Sequence, residues 1–391
     1  GEKMNVPKLR FKEFNDEWQN ISLNKLVNFS KGNLLSKTDL DDQGLYPCIL
    51  YGQLYTKYSE VIRNVYSKIN RNDKNLIMSK YGDVLIPSSG ETPIDISTAS
   101  CIMLDNIILG GDINILSPKN CDGRFLSYMI NNTKRKEIAK LAQGHSVVHL
   151  YNDNLKKINI NIPQLNEQNK IADTLELLDK KIELQTKKIE DLKLFKKGLN
   201  KYFFNNCNNQ YYLSELLKEY NKKTTINNEY DILSSTANGI FLQNEYFNKQ
   251  AASQNTIGYK IIPKGYITYR SMSDTGDFHF NKQNIIDYGI VSPAYPVFKI
   301  DDNIVNSEYL LYYMNENKDF LNSILTLKEG GTRFALSYSK LLSLNVKLPN
   351  KKEQNKYSLL LEKLNRKIEM ENIKLNKLLE FKKGLMQNIF V

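Results

Sequence analysis

An α+β fold is expected: two β-rich globular domains separated by two long helices that form an antiparallel coiled coil, as a pseudo-twofold internal repeat. Three observations predict it. Residues 155–205 return without a gap as residues 341–391, with 21 identities in 51 positions at a constant offset of 186. A repeat of this length is an architectural feature. Both copies carry a hydrophobic heptad stripe. The segments outside the stripes are runs of Ile, Val, Leu and Tyr broken by Gly, Asn, Asp and Ser turns. With 391 residues, the chain exceeds one comfortable core.

The domains follow in order: a first globule at 1–162, a spacer helix at 163–206, a second globule at 207–348 and a second spacer helix at 349–391. In the first globule, Gly82-Asp83-Val84-Leu85-Ile86, Ile113-Asn114-Ile115-Leu116 and Asn159-Ile160-Asn161-Ile162 read as strands, and Phe125–Met129 as a short helix. The second globule offers Gly265-Tyr266-Ile267-Thr268-Tyr269 as a strand and Tyr309–Met314 as a helix. Pro163 and Pro349 close a strand just before each spacer helix.

The first stripe is Ile171, Leu175, Leu178, Ile182, Gln185, Ile189, Leu192 and Leu199; the second is Tyr357, Leu361, Leu364, Ile368, Glu371, Leu375, Leu378 and Leu385. The 4-3 spacing is that of a coiled-coil seam. A span of 29 residues makes a rod of roughly 43 Å at ~1.5 Å per residue. Each seam is broken once, by Gln185 and by Glu371 at the equivalent position. In a symmetric antiparallel pairing these two meet, and the amide donates to the carboxylate. The alternative leaves both facing solvent on a curved helix.

The net charge of +11 favours a polyanionic partner. It is uneven: 21 basic and 17 acidic groups in 1–162, 14 of each in 207–348, and 10 against 5 in 349–391. Sequence-independent attraction to phosphate therefore comes mostly from the first half and the last helix. No run is long and apolar enough to span a bilayer, so no membrane partner is expected. Four cysteines without framework or CxxC spacing read as reduced thiols of a cytoplasmic protein.

Catalytic motifs are missing. The sequence holds no phosphate loop, dinucleotide turn, nucleophile elbow or amino-methyltransferase motif. His145 and His149 stand four apart, but in a loop-to-strand context with no completing ligands, so no metal site is expected. The chain reads as a binding protein with no cofactor of its own.

The run Val6-Pro7-Lys8-Leu9-Arg10-Phe11-Lys12-Glu13-Phe14, closing on Trp18, Leu23 and Leu26, resembles the opening of type I restriction-modification specificity subunits. So do Gly82–Ile86 and the small turns Gly144-His145-Ser146 and Gly330-Gly331-Thr332-Arg333. The strongest likeness is the strand-end proline followed by Glu-Gln-Asn-Lys and a long helix, found twice. One departure is that the first turn has His145-Ser146-Val147 where the second has Gly331-Thr332-Arg333, so the basic residue lacks a counterpart in the first half.

The resemblance implies that each globule is a target recognition domain reading one half of a split site in double-stranded DNA. The helices would space the readers and dock two methyltransferase subunits, with restriction and motor subunits joining. S-adenosylmethionine and ATP would belong to those partners, leaving this chain a non-catalytic specificity subunit. Base edges need forked donors and acceptors from polar loops. The candidates in the first globule are Tyr51, Gln53, Lys80, Ser88, Ser89, Glu91, Thr92, His145 and Ser146. In the second they are Ser234, Ser235, Asn238, Arg270, Ser271, Ser273, Asp274, Lys328, Thr332 and Arg333. Two other readings stay open: a coiled-coil scaffold or adhesion protein without DNA specificity, and a single-chain restriction-methylation enzyme.

Overall fold

The structure is a computed structural model that describes residues 6–71, 73–144, 147–205, 207, 209–246, 255–327 and 334–391. The two long helices are Leu165–Asn205 and Lys351–Ile389, each beginning two residues after its strand-end proline. The chain divides into two compact units, Gly1–Thr186 with Ile373–Val391, and Lys187–Asn372. Each unit holds one globule and one half of each long helix.

In the first unit an antiparallel pair, Gln19–Ser22 with Asn159–Ile162, brings the start of the globule to its end. The main sheet runs Val27–Lys31, Ile113–Pro118, Val84–Pro87, Ser100–Ile102, Val61–Ile62. A three-stranded sheet, Ser67–Ile69, Tyr46–Ile49, Ile108–Leu109, lies beside it in sequence and closes two further small cores. The second unit repeats the plan. Asn209–Tyr212 pairs with Asn345–Leu348, and the sheet runs Leu217–Glu219, Val297–Ile300, Ile267–Thr268, Asn281–Lys282. The first three strands of both sheets correspond in order and are antiparallel. The expected strands at 113–116 and 159–162 form, while the one at 265–269 shortens to Ile267–Thr268.

The short helices keep the repeat where sequence identity has gone. Gly123–Met129 is capped by Asp122, whose carboxylate accepts from the Arg124 and Phe125 amides, and Ser307–Glu316 by Asn306, which accepts from the Tyr309 amide. Asn131 accepts from the Ala99 amide and donates to its carbonyl, and Asn315 does the same with Phe280. Asp122 and Asn306, like Asn131 and Asn315, sit at an offset of 184, so the second copy carries two more residues than the first between these positions and the helix repeat. Gly123 is packed so close to the backbone that an added Cβ would lie 2.1 Å from the Gly82 carbonyl oxygen.

The repeated Glu-Gln of the spacer helices has a mechanical role. Gln168 accepts from the Asp122 amide at 3.0 Å and donates to the Pro163 carbonyl at 2.8 Å; Gln354 accepts from Asn306 at 2.8 Å and donates to Pro349 at 2.8 Å. Each buried glutamine thus bolts a globule's short helix to the start of its spacer helix. Glu167 adds a bond that Glu353 does not repeat among the described residues. Its two oxygens take a fork from Arg10 at 2.8 Å each, and Trp18 donates to it at 3.4 Å. Arg10 and Trp18 of the N-terminal run are there to hold Glu167, which is 1% exposed.

Within each unit the helix halves run antiparallel. Lys382 reaches Asp179 in one, while Tyr357 reaches Asn200 and Lys188 reaches Glu371 in the other. Every seam position is buried or half-buried. The seam is not purely helix against helix, however. Ile171 and Leu175 belong to the first globule's core with Trp18, Phe125, Met386, Ile389 and Phe390, and Tyr357 and Leu361 to the second core with Phe203 and Tyr309. One apolar stripe serves both purposes because both surfaces are simply dry. Glu371 is buried at 4% exposure, and its partner within its own unit is the Lys188 ammonium at 2.9 Å. Gln185, half-buried, falls in the other unit.

Candidate nucleic-acid interface

A two-residue ribbon recurs in each unit. Ser89–Gly90 pairs with Val148–His149, and Met272–Ser273 pairs with Phe334–Ala335. Each ties the segment leaving a central sheet strand to the segment that leads into the long helix. Candidates distant in sequence are therefore neighbours. The candidates His145, Ser146, Lys328, Thr332 and Arg333 lie outside the described residues.

In the first unit, three candidates prove to be braces. Gln53 is 8% exposed, accepts from the Leu50 amide at 3.0 Å and donates to the Ser67 hydroxyl at 2.5 Å. It lies in the helix Tyr51–Thr56, not in a loop. Ser88 is buried against Asp112, and the Ser89 hydroxyl lies 2.9 Å from His149 Nδ1. Their polar atoms are spent internally, so they shape the edge and do not offer it. The burial of Ser89 also denies a substrate access to what is otherwise a hydroxyl–imidazole pair. Lys80 is exposed but stands before Val84–Pro87, at the opposite end of that strand from Ser88 and Ser89. Tyr51, Glu91 and Thr92 are exposed, and Thr92 donates to Asp95 at 2.6 Å.

Side chains that the sequence reading missed complete this edge. Tyr55 lies against Gly90, and burial, with Tyr51, Asp95 and Glu91 nearby, raises its phenol pKa. Tyr151 is 48% exposed, its ring stacked on His149 at 6.4 Å, with Lys31 Nζ 6.0 Å from the ring centre. The alternation His149-x-Tyr151 was the available signal, since residues two apart share a face of extended chain.

In the second unit a cleft of about 540 Å³ gathers Ser234, Ser235, Arg270, Ser273 and Asp274 from two separate segments. Thr236, Met272, Thr275, Asp277, His279 and Tyr295 line it too, and none was singled out in the sequence. Ser235 accepts from Asn281 at 2.9 Å, and Ser273 from the Gly276 amide at 3.0 Å, so both hold the walls. Ser271 donates to the Ala294 carbonyl beside Tyr295, and Asn238 is exposed at the tip of the hairpin Leu233–Leu242. Arg270 is exposed; burial raises the Tyr295 phenol, and the guanidinium works against that shift. Hydroxyls, a guanidinium, carboxylates and an imidazole on one cleft supply the donors and acceptors that base edges present in complement. Among the described residues, no group of His, Cys, Asp and Glu could hold a metal ion.

The model of the type I restriction modification DNA specificity domain matches residues 15–194 and again residues 208–380. The chain belongs to this specificity family. Both matches take in one globule and most of the helix that follows, the same duplication that the ribbons and glutamine bolts display. Among solved structures, a type I restriction-modification S subunit from M. genitalium is similar at 16% identity, with 99% of each chain covered and a TM-score of 0.63. A structure from work on complex assembly and conformational transition of the type I system is similar at 13% identity, covering 95% of this chain and 97% of that one, with a TM-score of 0.51. At these identities the likeness is one of fold. No helix of this family member is long and apolar enough to cross a membrane among the described residues.

Proposed function

We propose that this chain is the non-catalytic, sequence-reading subunit of a cytoplasmic type I restriction-modification complex. Each globule reads one half of a split site in double-stranded DNA. The observation that carries this reading is the pair of equivalently placed ribbon edges with different polar side chains: Tyr51, Glu91, Thr92 and Tyr151 on one, Arg270, Asp274, Thr275 and His279 on the other. One frame with two chemistries is what two different half-sites require.

The long helices dock two methyltransferase subunits, and restriction and motor subunits join that core. Support comes from apolar side chains left exposed at equivalent places: Leu184 and Met370 at 59%, Phe195 and Phe381 at 62%. Two copies of one apolar feature suit two copies of one partner. S-adenosylmethionine and ATP are bound by the partners, which supply methyl transfer and ATP-driven cleavage.

The test is methylome sequencing of a host expressing the chain with its methyltransferase partner. A two-part adenine motif that disappears when this chain is omitted is expected. Methylation independent of the chain, or methyl transfer by the purified chain alone, would overturn the proposal.

A further inference from the structure

We propose that the groove between the first globule and the last helix tracks the phosphate backbone of bound DNA, through Arg135 and Lys383. The groove encloses about 730 Å³ and is walled mainly by polar groups, among them Asn131, Asn132, Thr98 and Gln387. It contains three cations, and they differ. Lys382 is committed: it is bonded to Asp179 at 2.6 Å and to Glu60 at 3.4 Å. Arg135 spends its guanidinium only on neutral oxygens, the Ile94 carbonyl at 3.3 Å and the Thr98 hydroxyl at 3.2 Å. Lys383 is exposed. Neither Arg135 nor Lys383 has a carboxylate partner among the described residues, so both face the groove without an ion pair, while its lining carboxylate, Glu60, is bonded to Lys382.

The second unit serves as an internal control. The sequence Phe-Lys-Lys-Gly-Leu recurs there, with Lys196 and Lys197 in the places of Lys382 and Lys383. Lys196 is bonded to Glu316 at 3.0 Å. The spacing of 184 residues that aligns Asp122 with Asn306 and Asn131 with Asn315 puts Asp319 where Arg135 stands. In both units the first lysine of the pair is held by carboxylates and the second has no carboxylate partner among the described residues; what differs is the residue at the aligned position, Arg135 in the first unit and Asp319 in the second. This matches the charge excess of the last helix and the zero net charge of 207–348.

A duplex fits better than an acidic protein face because of continuity with the reading edge. Tyr55 lines the groove from the helix that also carries Tyr51. Phosphates adjoining a read half-site would enter there, and contacts to them position without specifying. The inference rests on the proposed DNA-reading function.

The test measures binding of a labelled mixed-sequence duplex of about 30 base pairs by the chain in complex with its methyltransferase partner, across a salt series. Each phosphate contact contributes a slope of about 0.9 in log affinity against log salt. The double variant R135Q/K383Q is expected to lower the slope by about 1.8 and to weaken unrelated duplexes alike. K197Q should leave the slope unchanged, and far-UV circular dichroism of the chain should show both variants folded. An unchanged slope in the double variant, an equal fall in K197Q, or loss of the methyltransferase partner would overturn the groove assignment. A wild-type complex that shows this charge-dependent slope but methylates no split motif would refute sequence reading while upholding the groove.

Discussion

Truncating Gln168 to alanine removes two hydrogen bonds from a side chain that is 2% exposed. The Pro163 carbonyl is left buried without its donor, and the partly buried Asp122 amide loses its acceptor. An unmatched buried backbone group costs ~1–3 kcal/mol, with less where water can enter, and the vacated volume adds to it. A total of about 2–4 kcal/mol follows. For a unit of this size, with a urea slope of ~3 kcal/mol per molar, the midpoint falls by about 1 M. The assay is direct, because Trp18 is the single tryptophan, sits in the first core and bonds to Glu167, the neighbour of Gln168. Its fluorescence follows the first unit, while far-UV circular dichroism follows both. Gln354→Ala should lower the dichroism midpoint by a similar amount and leave the Trp18 transition nearly in place. A Trp18 midpoint that moves less than about 0.2 M in Gln168→Ala would refute the bolt, given the cost expected of an unmatched buried group. Equal movement of the Trp18 transition in Gln354→Ala would refute the separateness of the two units.

Arg270→Ala should weaken one half-site by ~1–3 kcal/mol if the guanidinium makes a forked base contact, leaving the other half-site intact; competition with duplexes changed in one half at a time measures it. Uniform weakening across sequences would mark a phosphate contact instead. Phe390→Ala, which empties a buried position 5.6 Å from the Phe125 ring, should cost ~3–5 kcal/mol and lower the Trp18 midpoint. Hydrogen bonds from Arg63, then Arg124, hold Glu176 below its ordinary value of 4.5 against the opposing effect of burial. Its contribution to stability is therefore present above 4.5 and lost as pH falls through the lower folded value. Glu176→Gln should flatten the acid limb of a stability profile between those points, and an unaltered limb would count against the pairing.

Much of the frame was legible because it is written in periodicity. A heptad stripe and a strand-closing proline are local signals, and both helices begin where Pro163 and Pro349 said they would. The short helices at Phe125 and Tyr309 were legible for the same reason, with Asp122 and Asn306 as caps one turn earlier. The edge residues were harder. Gln53, Ser88 and Ser89 have the composition of a reading loop, yet each is buried with its polar atoms paired. Polarity in sequence does not say whether a donor faces solvent or a neighbour 14 or 60 residues away. Tyr151 was marked only by its alternation with His149, and nothing local distinguishes His279 from a turn residue.

By itself the sequence determined that the chain is a duplication, that helices and globules alternate, and that the helices kept their pattern while the globules diverged. Tertiary structure alone decided which halves of the two helices belong with which globule. It also decided that Gln168 and Gln354 bolt helix to globule, and that the first lysine of each duplicated pair is neutralised by carboxylates from distant segments. The reason is the range of the interactions. Secondary structure follows from neighbours within a few residues, whereas burial and charge compensation depend on groups such as Lys382 and Glu60, which only the folded chain brings together.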